Sequence, residues 1–145
     1  MRTAVELVDD SGDSFRLREL GTFFAELRDA NRSGQQVDGV AAPGWLASAF
    51  APERSAAEAQ EWLARWRAAA DKLAFERASG WTAANWFHWF SPGNEFWRLA
   101  DVAFDEDTRR LTLYLDHEDE PIPMEVLKWL AVEGNLEIRG VVRLQ

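Results

Sequence analysis

Residues 81–97 read WTAANWFHWFSPGNEFW and place seven aromatic side chains in seventeen positions. Each such ring can bury roughly 150–250 Å², so no other stretch offers comparable apolar area for its length. Thr82 can cap a short helix over residues 83–90, which the turn residues SPG at 91–93 then end. Because aromatic rings cover almost the whole circumference of this helix, we expect a longer helix and a sheet to enclose it.

Two strands, a helix and a last strand are predicted on the C-terminal side of this segment. Residues 96–105 and 109–116 are typical of a hairpin with an acidic turn, since leucines alternate with polar residues along its second strand. Pro121 and Pro123 lead into a helix over residues 124–133, which Gly134 ends. Residues 136–144 then form the final strand.

The N-terminal half is predicted to begin with its own hairpin. Residues 3–8 are β-branched and apolar, and the alternation over residues 14–20 indicates a partner strand. A helix follows from Gly21, and a loop spans residues 31–44. A capping box at Ser55 begins a long helix with one apolar stripe, which ends at Gly80.

This order of elements predicts one α+β domain over residues 1–145. We expect an antiparallel or mixed sheet made of the N-terminal hairpin, the central hairpin and the C-terminal strand. Three to four helices should lie mainly on one side of that sheet.

Negative charge is concentrated near the C-terminus. The chain has a net charge of −9, and residues 101–145 contribute eleven acidic against five basic side chains. Such a patch repels phosphates, so direct nucleic-acid binding is not expected and a basic protein surface is the natural complement. An acidic surface that only keeps the protein soluble is the alternative.

Composition also bears on the compartment. The chain has no cysteine and no run of eighteen apolar residues, and its first residues lack the apolar core of a secretory signal. We therefore expect a cytoplasmic protein with no membrane contact. Fourteen arginines against two lysines suggest a GC-rich bacterial or phage genome.

No catalytic motif, cofactor motif or metal signature is found. His88 and His117 are the only histidines, and the acidic residues around His117 are more typical of a solvated loop than of a weak divalent-cation site. An acid–base pair of His88 with Glu95 or Asp101 is an outside possibility that only closeness in sequence favours. The protein is predicted to be non-catalytic, without cofactor or metal.

The leading hypothesis is an inhibitor or immunity-type protein that occludes a basic partner, either a toxin or a nucleic-acid-handling enzyme. Acidic side chains would steer and pair with the partner while an exposed aromatic ring anchors the centre. The predicted partner-binding residues are Asp105, Glu106, Asp107, Asp116, Glu118, Asp119, Glu120, Trp45 and Trp89.

The alternative hypothesis is a small-molecule-binding domain. An aromatic wall with a few polar groups is how such sites are usually built. The predicted ligand-binding residues are Trp86, His88, Trp89, Asn94 and Glu95.

Overall fold

The structure is a computed structural model that describes residues 1–144. These residues form four strands and six α-helices, with one short 3₁₀ turn at Val37–Gly39. In chain order the elements are β1 (Arg2–Val8), α1 (Phe15–Ser33), α2 (Gly44–Ala49), α3 (Ala56–Ala68), α4 (Lys72–Ser79), α5 (Ala83–His88), β2 (Arg98–Asp105), β3 (Arg110–Asp116), α6 (Glu125–Glu133) and β4 (Glu137–Leu144).

The strands form one antiparallel sheet in the order β2-β3-β1-β4. Alternate side chains of β3 are fully buried, and Leu113 lies opposite the equally buried Val5 of β1. Alternation of this kind gives the sheet one apolar and one polar face. The helices α1 and α6 supply apolar side chains to the core on the apolar face, so the predicted α+β class with an antiparallel sheet is confirmed.

Trp86 of α5 occupies the centre of the core. Its side chain is fully buried, and its ring centroid lies 4.7 Å from that of Phe90 and 5.9 Å from that of Phe23 in α1. Its indole Nε1 donates a hydrogen bond of 3.2 Å to the carbonyl of Val126 in α6. The aromatic helix is therefore enclosed, as its sequence predicts.

The predicted N-terminal hairpin is wrong. Residues 15–33 form a single helix, and β1 pairs with β3 and β4 instead of with a neighbouring strand. The alternation over residues 14–20 is too short to distinguish a strand from a helix, whereas Leu17, Leu20, Phe24 and Leu27 recur at helical spacing and are fully buried. The described chain also has more helices than the three or four expected.

The predicted long helix from Ser55 is divided in two. The capping box is present, since Ser55 Oγ accepts from the backbone N–H of Glu58 and the Glu58 carboxylate accepts from that of Ser55. However, α3 ends at Ala68, and Asp71 caps α4 by accepting from the N–H of Ala74. None of the side chains of α3 or α4 is buried, so the predicted apolar stripe packs against the neighbouring helix and not against the core.

A group of three charged side chains joins the strands at one end of the sheet. Asp116 of β3 lies between Arg2 of β1, at 2.7 Å, and Arg98 of β2, at 3.5 Å. All three occupy paired positions in the strand register. The hydrogen bond from Arg2, together with both positive charges, holds the pKa of the Asp116 carboxyl below its usual range.

We expect Trp86→Ala to destabilise the protein by about 3–5 kcal/mol, because it opens a cavity in a packed aromatic cluster. Trp62→Ala in α3 should cost much less in global stability, since Trp62 packs mainly on Phe75 of α4, with 5.5 Å between ring centroids. Urea unfolding measures both free energies. Amide hydrogen exchange should rise in α3 and α4 alone for Trp62→Ala, and a global loss of protection would contradict this separation.

Asp116→Asn should lower the free energy of unfolding at pH 7 by about 1 kcal/mol. Because the pKa of Asp116 is lowered in the folded state, its contribution is complete well above the unfolded value of about 3.9 and disappears as the pH falls through the folded value. The difference in urea midpoint between the variant and the wild type should therefore be smaller at about pH 3 than at pH 7. An equal deficit at both pH values would show that the loss is not electrostatic.

Candidate functional site

The two predicted acidic segments lie at opposite ends of the same strand. Residues 105–107 form the turn before β3, and residues 118–120 follow it. Seven strand residues at about 3.4 Å each separate the segments by roughly 20 Å. They do not form one continuous acidic surface, and each end has to be considered alone.

Most of these carboxylates already have partners within the chain. Glu120 pairs with Arg143 at 3.2 Å, Glu106 pairs with Arg18, and Asp116 is held by its two arginines. Asp105 accepts hydrogen bonds from two backbone N–H groups of its own turn. Within residues 1–144, Asp107, Glu118 and Asp119 are the predicted partner-binding acids whose side chains have neither an ion pair nor a hydrogen bond.

Three aromatic rings form a stack beside the second acidic segment. Phe96 is 59% exposed, and its ring lies over that of Trp89 at 5.9 Å between centroids and 23° between planes. Trp89 is half-buried and stacks in turn on Trp97, at 6.1 Å. The Trp97 indole donates a 2.7 Å hydrogen bond to the carbonyl of Pro123, which fixes the base of the stack. Phe96 is thus a rigidly supported apolar ring facing solvent.

An open cleft of about 860 Å³ adjoins this stack. Glu95 and Glu118 line it together with Phe96, and neither carboxylate has an ion pair within the described residues. The cleft brings together predicted residues of both hypotheses, Asn94 and Glu95 for a ligand and Asp116 and Glu118 for a partner. Arg2 and Arg98, which pair with Asp116, also line it. We call Glu95, Phe96 and Glu118, with Trp89 beneath them, the Phe96 surface.

Four of the five residues predicted to bind a ligand line a second, smaller cleft. His88, Trp89, Asn94 and Glu95 surround a volume of about 110 Å³, whereas ligand pockets usually hold about 300–1,000 Å³. The His88 ring also packs so closely over residue 93 that a Cβ there would lie 2.5 Å from its Cε1 atom, which explains the glycine. The fifth residue, Trp86, lies in the core and does not line this cleft.

Trp45 lies apart from the Phe96 surface. Its indole donates a 3.0 Å hydrogen bond to Glu19 of α1, and the Arg16 guanidinium lies 5.1 Å from its ring centroid. Its ring also reaches the backbone of Gly134 after α6, where a Cβ would lie 2.8 Å from it. These contacts give Trp45 a packing role between α1 and α6.

Neither histidine is paired for acid–base chemistry. The His88 ring makes no hydrogen bond within residues 1–144, and Asp101 accepts a 2.8 Å hydrogen bond from Arg28. The pKa of Asp101 is lowered, first by the backbone N–H of Val102 and then by Arg28. His117 is buried, with Nε2 placed 2.8 Å from Thr3 Oγ1 and Nδ1 placed 2.9 Å from the Asp119 carbonyl.

Sequence reasoning did not single out Phe96. The signal was its position in strand alternation with Trp97, which places the two neighbouring rings on opposite sides of the chain. Trp97 is buried and Phe96 is exposed, as that alternation requires. An aromatic residue that points away from the buried neighbouring ring is expected at the surface.

Among the described residues, no three histidine, aspartate or glutamate side chains come close enough together to hold a metal ion, and no helix is long and apolar enough to span a membrane. No protein-family model, no curated protein and no solved structure matches this chain.

Proposed function

We propose that this protein is a non-catalytic, inhibitor or immunity-type interaction protein that binds a basic protein partner through the Phe96 surface. The observation that carries the proposal is an exposed ring, Phe96, which stacks on Trp89 and lines one cleft together with Glu95 and Glu118, two carboxylates without ion pairs in the described chain. A toxin or a nucleic-acid-handling enzyme would present the positive surface that such a site requires.

Binding through the Phe96 surface is expected to cost little side-chain entropy. Phe96 already stacks on Trp89, so less side-chain entropy should be lost when a partner covers it than for a ring without such a contact. Aromatic side chains at the centre of an interface contribute most of the binding energy when they become fully desolvated. Glu95 and Glu118 lie beside the ring, where unpaired carboxylates accelerate and orient the approach of a cationic surface.

The remaining predicted acids contribute less to this proposal. Asp116 and Glu120 would have to exchange an arginine of the chain itself for one of the partner. Such exchange gains little, because exposed ion pairs differ by less than about 1 kcal/mol. The turn at residues 105–107 lies at the far end of β3 and adds only to long-range attraction.

The alternative of a small ligand has less support. The cleft around His88 is below the usual size of a ligand pocket, and Trp86 is not available to line it. A thermal-shift screen with planar and cationic compounds tests this alternative, since a saturating ligand raises the melting temperature.

The double reversal Glu95→Lys with Glu118→Lys should abolish partner binding. Its matched control is Asp38→Lys with Glu133→Lys, which changes the net charge equally at two exposed acids that have no ion pair in the described chain. Wild type and both variants are immobilised and exposed to a soluble extract of the source cells. A specific partner is retained by wild type and control and lost from the Glu95 and Glu118 variant.

Phe96→Ala should then weaken the affinity for the captured partner by at least about 10-fold in a calorimetric titration. Retention of the same proteins by all three baits would overturn the proposed surface, because only nonspecific attraction would then remain. An unchanged affinity for Phe96→Ala would remove the ring from the interface.

A further inference from the structure

The polar face of the sheet is not covered by any helix of the described residues. The helices α1 and α6 pack on the opposite face, where the leucines of β3 point. Strand register places side chains of the uncovered face in four rows that run across the sheet. The row at one end is Arg98, Asp116, Arg2 and Leu144. The row at the other end is Asp105, Arg110, Val8 and Glu137.

The charges of these two end rows are complementary. In the first row, Arg98, Asp116 and Arg2 are positive, negative and positive. In the last row, Asp105, Arg110 and Val8 are negative, positive and neutral. The two middle rows include Tyr114, Ala4, Val142 and the acidic Glu6, whose carboxylate pairs with Arg110 of the last row at 3.3 Å. Asp101 belongs to this region by register, but its carboxylate turns around the sheet edge to Arg28 of α1.

We propose that two copies of this chain pack these faces together about a two-fold axis that lies in the interface and runs across the strands. Rotation about that axis places the first row of one copy over the last row of the other. Arg98 then faces Asp105 of the second copy, and Asp116 faces Arg110 of the second copy. The same surface serves both copies, as a two-fold interface requires.

The direction of the axis follows from the same charges. An axis along the strands would instead bring Asp116 over Arg2 of the second copy, but it would also bring Asp105 over Glu137, which pairs with Arg139 of its own chain. Like charges facing each other across an interface cost affinity. The axis across the strands has no such opposition between its end rows, and it stacks the two sheets in the aligned manner of β-sandwiches.

The size and exposure of the face set the expected strength. Val142 is 53% exposed, so this face has an apolar side chain that is largely open to solvent. Four strands at about 4.8 Å and rows spanning about 20–25 Å give roughly 500 Å² per copy, less than the ~800 Å² per partner of a typical stable interface. We therefore expect a weak dimer, with a Kd in the micromolar range or above.

Repulsion between the copies acts in the opposite direction. Each carries a net charge of −9, and the turn at residues 106–107 would approach the loop at residues 118–119 of the second copy. These acids lie in solvent beyond the paired rows. At physiological salt, charges farther apart than about 8 Å are largely screened, so measurements belong at that ionic strength.

Sedimentation velocity of the full chain from about 10 µM to about 1 mM tests the dimer. Wild type should shift toward the dimer over this range, whereas Arg98→Glu and Asp105→Lys should each remain monomeric, because each creates two like-charge oppositions. An equimolar mixture of the two variants should dimerise again, since each supplies the charge that the other lacks. A misfolded variant cannot give this recovery.

Arg67→Glu is the matched control, because it reverses an exposed arginine of α3 away from the face and should leave the dimer unchanged. The row of Arg98, Asp116, Arg2 and Leu144 also lines the cleft beside Phe96, so the two proposed surfaces adjoin. Sedimentation of the purified chain involves no partner, and failure of the dimer is therefore distinguishable from failure of the proposed function. A wild type that stays monomeric throughout, single reversals that dimerise like wild type, or a mixture that fails to recover would each overturn the proposal.

Discussion

The packing of Trp86 is the interaction on which the rest of the structure depends. One side chain contacts rings from α1, from α5 itself and from Phe50 after α2, and its N–H is satisfied by α6. A buried indole N–H without a partner would be costly, so the carbonyl of Val126 fixes where α6 can lie. With α1 and α6 placed, the apolar face of the sheet is covered and the polar face is left in solvent.

Much of this arrangement was readable from sequence, and the failures have physical causes. Enclosure of the aromatic helix, the β2–β3 hairpin and the capping box at Ser55 all follow from local patterns. The pattern of residues 14–20 fits both the two-residue period of a strand and the 3.6-residue period of a helix, because seven residues are too few to separate them. Over a window extended to Leu27, the apolar residues follow the helical period. The pairing of β1 with β4 joins the two ends of the chain, which no local pattern can indicate.

The candidate site was only partly predictable. Trp89, which both hypotheses included, lies half-buried in an aromatic stack, whereas Phe96 was in neither predicted set and Trp45 packs between α1 and α6. The separation of the two acidic segments was available without coordinates, since a seven-residue strand between them already implies roughly 20 Å. What sequence could not supply was the pairing of Asp116, Glu106 and Glu120, because their arginines come from distant positions in the chain.

Ion pairs within the chain therefore determine how its net charge is distributed over the surface. A net charge of −9 describes the chain as a whole, whereas the local potential depends on which carboxylates the chain pairs with its own arginines. Within residues 1–144 the acids without an ion pair include Glu26, Asp38 and Glu133, which lie on helices and in the 3₁₀ turn, as well as those at the ends of the sheet. The uncovered face of the sheet is nearly balanced.

The two ends of the segment that contains α3 and α4 lie next to each other. Ala51 donates a 2.8 Å backbone hydrogen bond to Trp81, so the chain leaves the body and returns to it at almost the same point. Residues 52–80 therefore form an insertion into the fold, with their own small cluster of aromatic rings. Such a segment can be shortened, lengthened or exchanged for foreign sequence with little effect on the remaining fold, which makes residues 52–80 a natural location for diversification and for grafting.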